Sequence, residues 1–150
     1  MSLKAQLRTD LTEAMRAKDD VRRSTLRMAL TAITNEEVAG KQSRELTDED
    51  VVKVLARELK KRNEAATAFA DAGQQERADA ELAEGKILES YLPAQLSEAE
   101  IAEIVARAIS DLGVSGPQAM GQVMKVVQPT IAGRADGGRV AAEVKQQLAG

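Results

Sequence analysis

The chain has 150 residues, 43% of them apolar and 30% charged, with a formal net charge of −3, a globular balance that fills one moderate core or two small ones. It contains no cysteine and no histidine, which excludes disulfides, thiolate and imidazole metal ligands, and the commonest general base. Only Phe69 and Tyr91 are aromatic, so small aliphatic side chains must fill the core, and base stacking cannot be the main way of holding a nucleic acid.

From the N-terminus, Leu3, Leu7, Leu11 and Met15 recur at helical spacing, which predicts an amphipathic helix over residues 2–18, interrupted at Asp19-Asp20. No apolar run reaches the roughly 18 residues of a membrane span, and charges among these leucines rule against a signal peptide. The expectation is a cytoplasmic protein without membrane contact. A second helix carries Leu26, Leu30 and Ile33 and is expected to close near Gly40, forming a hairpin with the first. Thr47, with Asp50 three residues on, starts a third helix that should run to Ala72. Its wheel puts Val52, Leu55, Leu59, Ala66 and Phe69 on one side and the cations Lys53, Arg57, Lys60 and Lys61 on the other. A fourth helix, residues 75–92, turns Ala78, Leu82, Gly85, Leu88 and Leu92 inward and stops at Pro93.

Ser97-Glu98-Ala99-Glu100 is a capping box. Ile101, Ile104, Val105, Ala108, Ile109 and Leu112 then form an apolar stripe closed by Gly113. Gly116-Pro117 opens a helix with Met120, Val123, Met124 and Val127 on one face, limited by Pro129, and Asp136 caps a last helix built on Val140, Val144 and Leu148. Residues 1–93 hold 16 of the 21 Lys and Arg and 18 of the 24 Asp and Glu, which places a boundary near Pro93. The fold expected is all-α: a helical N-terminal domain of two hairpins, residues 1–93, and a small three-helix C-terminal domain, residues 94–150.

Three segments, Tyr91-Leu92-Pro93-Ala94-Gln95-Leu96-Ser97, Met120-Gly121-Gln122-Val123-Met124 and Gly133-Arg134-Ala135-Asp136-Gly137, resemble the YqeY family in order and spacing. That family shares its domain with the C-terminal tail of the B subunit of glutamyl/aspartyl-tRNA amidotransferase and with an extension of some bacterial glutaminyl-tRNA synthetases. The resemblance implies the same two-domain helical organisation. It also implies a tail that binds tRNA while chemistry occurs in other domains. Through the longer protein it further suggests an amidotransferase-like carbon–nitrogen ligase activity with glutamine as amide donor.

The residues oppose that activity. Glutamine hydrolysis needs an activated nucleophile, yet there is no cysteine and no Ser-Ser-Lys constellation around any serine. Phosphoryl transfer needs a phosphate-cradling loop, and Gly40-Lys41 lacks both the upstream glycine, replaced by Asn35, and the following Ser or Thr, replaced by Gln42. No catalytic residue, cofactor or metal is therefore assigned. The leading expectation is an accessory module that contacts tRNA through backbone charge, with Arg134, Arg139 and Lys125, and the stripe Lys53, Arg57, Lys60 and Lys61, as candidate phosphate contacts. Gly133, Asp136 and Gly137 are expected to be structural, as turn and helix cap. The alternative is a protein-interaction factor that docks on an amidotransferase, synthetase or other translation component.

Overall fold

A computed structural model describes all 150 residues and is entirely helical. The chain divides into two compact units, Met1–Pro93 and Ala94–Gly150.

The first unit comprises α1 (Leu3–Arg16), α2 (Asp20–Glu37), α3 (Asp48–Asp71) and α4 (Gln75–Glu89). Side-chain oxygens of Ser2, Asp19 and Thr47 accept the first free amides of α1, α2 and α3, and Thr47 with Asp50 completes a capping box. Leu7, Leu26, Ile33, Val51, Leu55 and Leu88 are fully enclosed between the helices. Gly85 lets α4 approach α3: a Cβ there would lie 3.2 Å from the Leu59 Cδ1 methyl.

Several sequence expectations need correction. Met15 and Leu82 are exposed, and Ala14 takes the buried place on α1. On α3 the inward face is rotated to include Val51 and Val54, leaving Val52 and Phe69 only half-buried. The helix is packed on two sides by other helices, which widens its apolar stripe beyond the narrow face assumed. Two helices also end early. α2 stops at Glu37 because the chain turns to let the Arg44 amide donate to the Glu37 carbonyl at 3.0 Å. α4 stops at Glu89, where Tyr91 and Leu92 donate their amides three residues back in a tighter turn.

The second unit comprises α5 (Glu98–Leu112), a 3₁₀ turn (Pro117–Ala119), α6 (Met120–Ile131) and α7 (Gly137–Ala149). Ser97 and Glu100 form the capping box at the start of α5, and Gly113 closes it at φ 64°, a left-handed conformation that costs glycine nothing sterically. Val105, Val123, Val127, Ile131, Val140 and Val144 are enclosed, so this unit has a core of its own. Pro129 does not limit α6 but lies inside its last turn. The ring removes one amide donor, yet the helix survives another half-turn because the Ala132 amide still reaches the Gln128 carbonyl at 3.1 Å.

Candidate functional site

The turn between α6 and α7 holds the motif Gly133 to Gly137. Gly133 takes a φ of 73°, which reverses the chain after α6, and Asp136 caps α7 by accepting the Gly138 amide at 3.1 Å. Gly133 and Asp136 thus shape this turn, whereas Gly137 has no left-handed backbone and an added Cβ there would meet nothing within 4 Å. Arg134 is half-buried, and one nitrogen of its guanidinium is bound within the unit. Its Nε donates to the Ala94 carbonyl at 3.0 Å, and its own carbonyl accepts the Leu96 amide at 2.8 Å. Gln95 adds a third bond, from Nε2 to the Gly133 carbonyl at 2.8 Å. The extended segment 94–96 is therefore fastened to the turn, and Leu96 is buried in the core of the unit.

The remaining candidates lie on separate elements. Arg139, on α7, faces Glu98 at 3.8 Å, with both side chains largely in solvent. They border a cleft of about 260 Å³ between α5 and α7, also lined by Ile101, Ala142, Glu143 and Gln146. Lys125 is on the exposed side of α6 beside the solvent-facing Val126. From Leu112 to Ala135 the chain carries no carboxylate, so Lys125 and Arg134 are the only charges along the 3₁₀ turn, α6 and the turn after it. Glu100 lies in the field of Arg134, but its carboxyl is held below the usual carboxylate range chiefly by the hydrogen bonds from the Ser97 amide and hydroxyl.

The basic stripe of α3 is exposed and largely paired. Lys53 is 4.0 Å from Glu49, Arg57 is 3.1 Å from Glu36 on α2, Lys61 is 3.4 Å from Glu58, and Lys60 also has an interaction partner. Exposed pairs of this kind contribute little stability and lower the positive potential of the face.

Sequence reasoning missed three groups. Gln95 as a fastener left no periodic signal, although it stands in the first of the three segments that carry the family resemblance. In the first unit, Lys4 and Glu37 form a nearly enclosed ion pair. Tyr91 there donates its hydroxyl proton to Asp10 and accepts from Arg22 Nη2 at 3.1 Å. Burial pushes the Tyr91 phenol well above its ordinary range, and the bond to Asp10 adds to the shift, so this group is a structural tie and not a proton donor to solvent. No group of acidic side chains is arranged to hold a metal ion, and no helix is long and apolar enough to cross a membrane.

Known proteins resemble this chain along most of its length. The family described as "Yqey-like protein" matches residues 4–148. A relative from Kluyveromyces lactis, "Altered inheritance of mitochondria protein 41, mitochondrial", is 32% identical over 115 residues, 75% of this chain and 62% of that protein. Its namesakes are 32% identical over 116 residues in Lachancea thermotolerans, 75% of this chain and 61% of the relative, and 26% identical over 134 residues in Clavispora lusitaniae, 87% and 77%. The chain thus spans about three fifths of the length of the first two relatives. Since the family match runs through both units and leaves out only three residues at the start and two at the end, the chain belongs to the Yqey-like protein family.

Proposed function

We propose that this protein is a non-catalytic, tRNA-associated accessory module that contacts RNA phosphates through its second unit. The observation that carries this reading is the carboxylate-free stretch from Leu112 to Ala135, whose two charges are the exposed Lys125 and the half-buried Arg134. The stretch itself adds no like-charge repulsion to a phosphodiester backbone, although Glu100 and Asp136 lie beside Arg134, and phosphate contacts position a nucleic acid without reading bases. The tRNA link itself comes from the family resemblance. The sequence supports the absence of chemistry, since it supplies neither nucleophile nor phosphate loop for an amidotransferase-like reaction. The reading puts the protein in the cytoplasm, whereas its yeast relatives are named as mitochondrial. Filter binding of tRNA across a salt series tests the proposal: phosphate contacts give a negative log–log slope of roughly 0.7 to 0.9 per contact. A flat slope, or no binding at low salt, would remove it.

A second reading is favoured by the pairing of the α3 stripe and of Arg139 with carboxylates. Here the protein docks on an amidotransferase, synthetase or other translation component, and RNA affinity is residual. Binding to such a partner that persists at high salt and without RNA would favour it.

A further inference from the structure

We propose that the segment Ala94–Leu96 is a built-in holder that presents the outer end of the Arg134 guanidinium to an anion, with Gln95 as the positioning residue. The inference rests on the RNA reading above and names the regulation of that same site.

An arginine binds phosphate best when its planar donors are fixed before the ligand arrives, because ordering a long side chain at the moment of binding costs affinity. In this unit Nε of Arg134 is spent on the Ala94 carbonyl at 3.0 Å, which restrains the plane of the group and leaves its two terminal nitrogens outside that bond. The holder is itself held: Leu96 donates to the Arg134 carbonyl at 2.8 Å, Gln95 to the Gly133 carbonyl at 2.8 Å, and the Leu96 side chain is buried. Opposing charge is present in Glu100 and in the cap Asp136, but Glu100 is engaged by Ser97 and Asp136 by the Gly138 amide. Holder and anion therefore help each other. If the held conformation binds the anion more tightly, the anion must stabilise the holder by the same free energy.

The coupling separates this arrangement from simple attraction. In the full chain, Arg134→Ala should weaken tRNA binding about tenfold at low salt, as loss of a charge-assisted hydrogen bond would, and make the salt slope shallower by about one. Gln95→Ala removes no charge, yet should weaken binding roughly threefold through lost preorganisation. In the Arg134→Ala background it should have no further effect. Equal losses from Gln95→Ala in both backgrounds, or no loss in either, would overturn the proposal. Inorganic phosphate titrated into the protein and followed by NMR supplies the second readout. Saturable shifts at Arg134 Nε–H and the Leu96 amide, absent in Arg134→Ala, are expected. If these shifts occur while tRNA does not bind, the RNA reading fails and the holder stands. If tRNA binds with its salt slope while Leu96 and Arg134 stay unmoved by either ligand, the holder fails and the RNA reading stands.

Discussion

Lys4 and Glu37, 33 residues apart, meet so that the ammonium lies 2.8 and 2.9 Å from the two oxygens of one carboxylate. One of those oxygens also accepts the Leu46 amide at 3.2 Å. A single side chain thus joins α1, the end of α2 and the loop leading to α3, in a place where Glu37 is only 9% exposed. The arrangement holds the Glu37 carboxyl below its usual range, first through the hydrogen bond from Lys4 and then through that from Leu46, against the opposing effect of burial.

The pH dependence follows in sign. Because the folded group has the lower pKa, its stabilisation is complete above the unfolded carboxylate range and is lost as pH falls through the folded value. Lowering the pH should therefore leave the protein unaffected near neutrality and loosen the first unit once the pH falls below the ordinary carboxylate range. Glu37→Gln should be less stable at neutral pH and show a flatter loss on acidification. An acid profile identical to that of the native chain would show that the pair carries no linkage.

Tyr91 gives a second measurement. Replacing it with Phe deletes the hydroxyl that donates to Asp10 and accepts from Arg22, leaving these two 3.7 Å apart. A part-buried carboxylate that loses its donor should cost on the order of 1 to 2 kcal/mol. Urea denaturation should show a lower midpoint with an unchanged slope. An unchanged midpoint would mean that Arg22 closes on Asp10 and replaces the phenol.

The helices were legible wherever a local cause fixed them. Ser97 with Glu100 is a capping box in the sequence and in the structure, and Thr47, expected to start α3 with Asp50 three residues on, forms a second box there, since a cap acts over three residues and needs no distant partner. The stripe of α5 was legible for the same reason. Met15 and Leu82 were misplaced because helical spacing defines a face but not its edge, and neighbouring helices decide which edge is covered. The ties made by Gln95 to Gly133, Lys4 to Glu37 and Tyr91 to Asp10 span 38, 33 and 81 residues. Such pairings depend on how the elements pack, and nothing in the local pattern marks them. Arg134 was legible as a residue of interest, but its bond to Ala94 was not.

Two glycines within helices should respond oppositely to substitution. At Gly121, on α6, nothing lies within 4 Å of an added Cβ, so Gly121→Ala should stabilise the chain by about 0.5 to 1 kcal/mol through the lower entropy of the unfolded state. At Gly85 the Leu59 methyl stands 3.2 Å away, and Gly85→Val should destabilise by roughly 1 to 3 kcal/mol as α3 and α4 are forced apart. Thermal melts of the two variants give the comparison. A stabilised Gly85→Val would show that the α3 and α4 contact is loosely packed.

The carboxylate of Asp136 accepts the Gly138 amide at the start of α7. The first two helical positions are Gly137 and Gly138, the residues least able to hold a helical turn by themselves, so this end of α7 depends on the cap more than a turn built on alanine would. Asp136→Ala should cost about 1 kcal/mol, and Asp136→Asn, which retains an acceptor oxygen, should recover most of it. The loss should be local: amide exchange should rise at Gly138, Arg139 and Val140, whose backbone bonds or side-chain cap lead back to Asp136, while Val105 on α5 keeps its protection. The carboxylate does not attract phosphate, so the alanine variant should bind tRNA at least as well as the native chain when both are compared well below the melting temperature. Weaker binding by a variant that is folded and no less stable would assign Asp136 a direct part in recognition and count against its role as a cap.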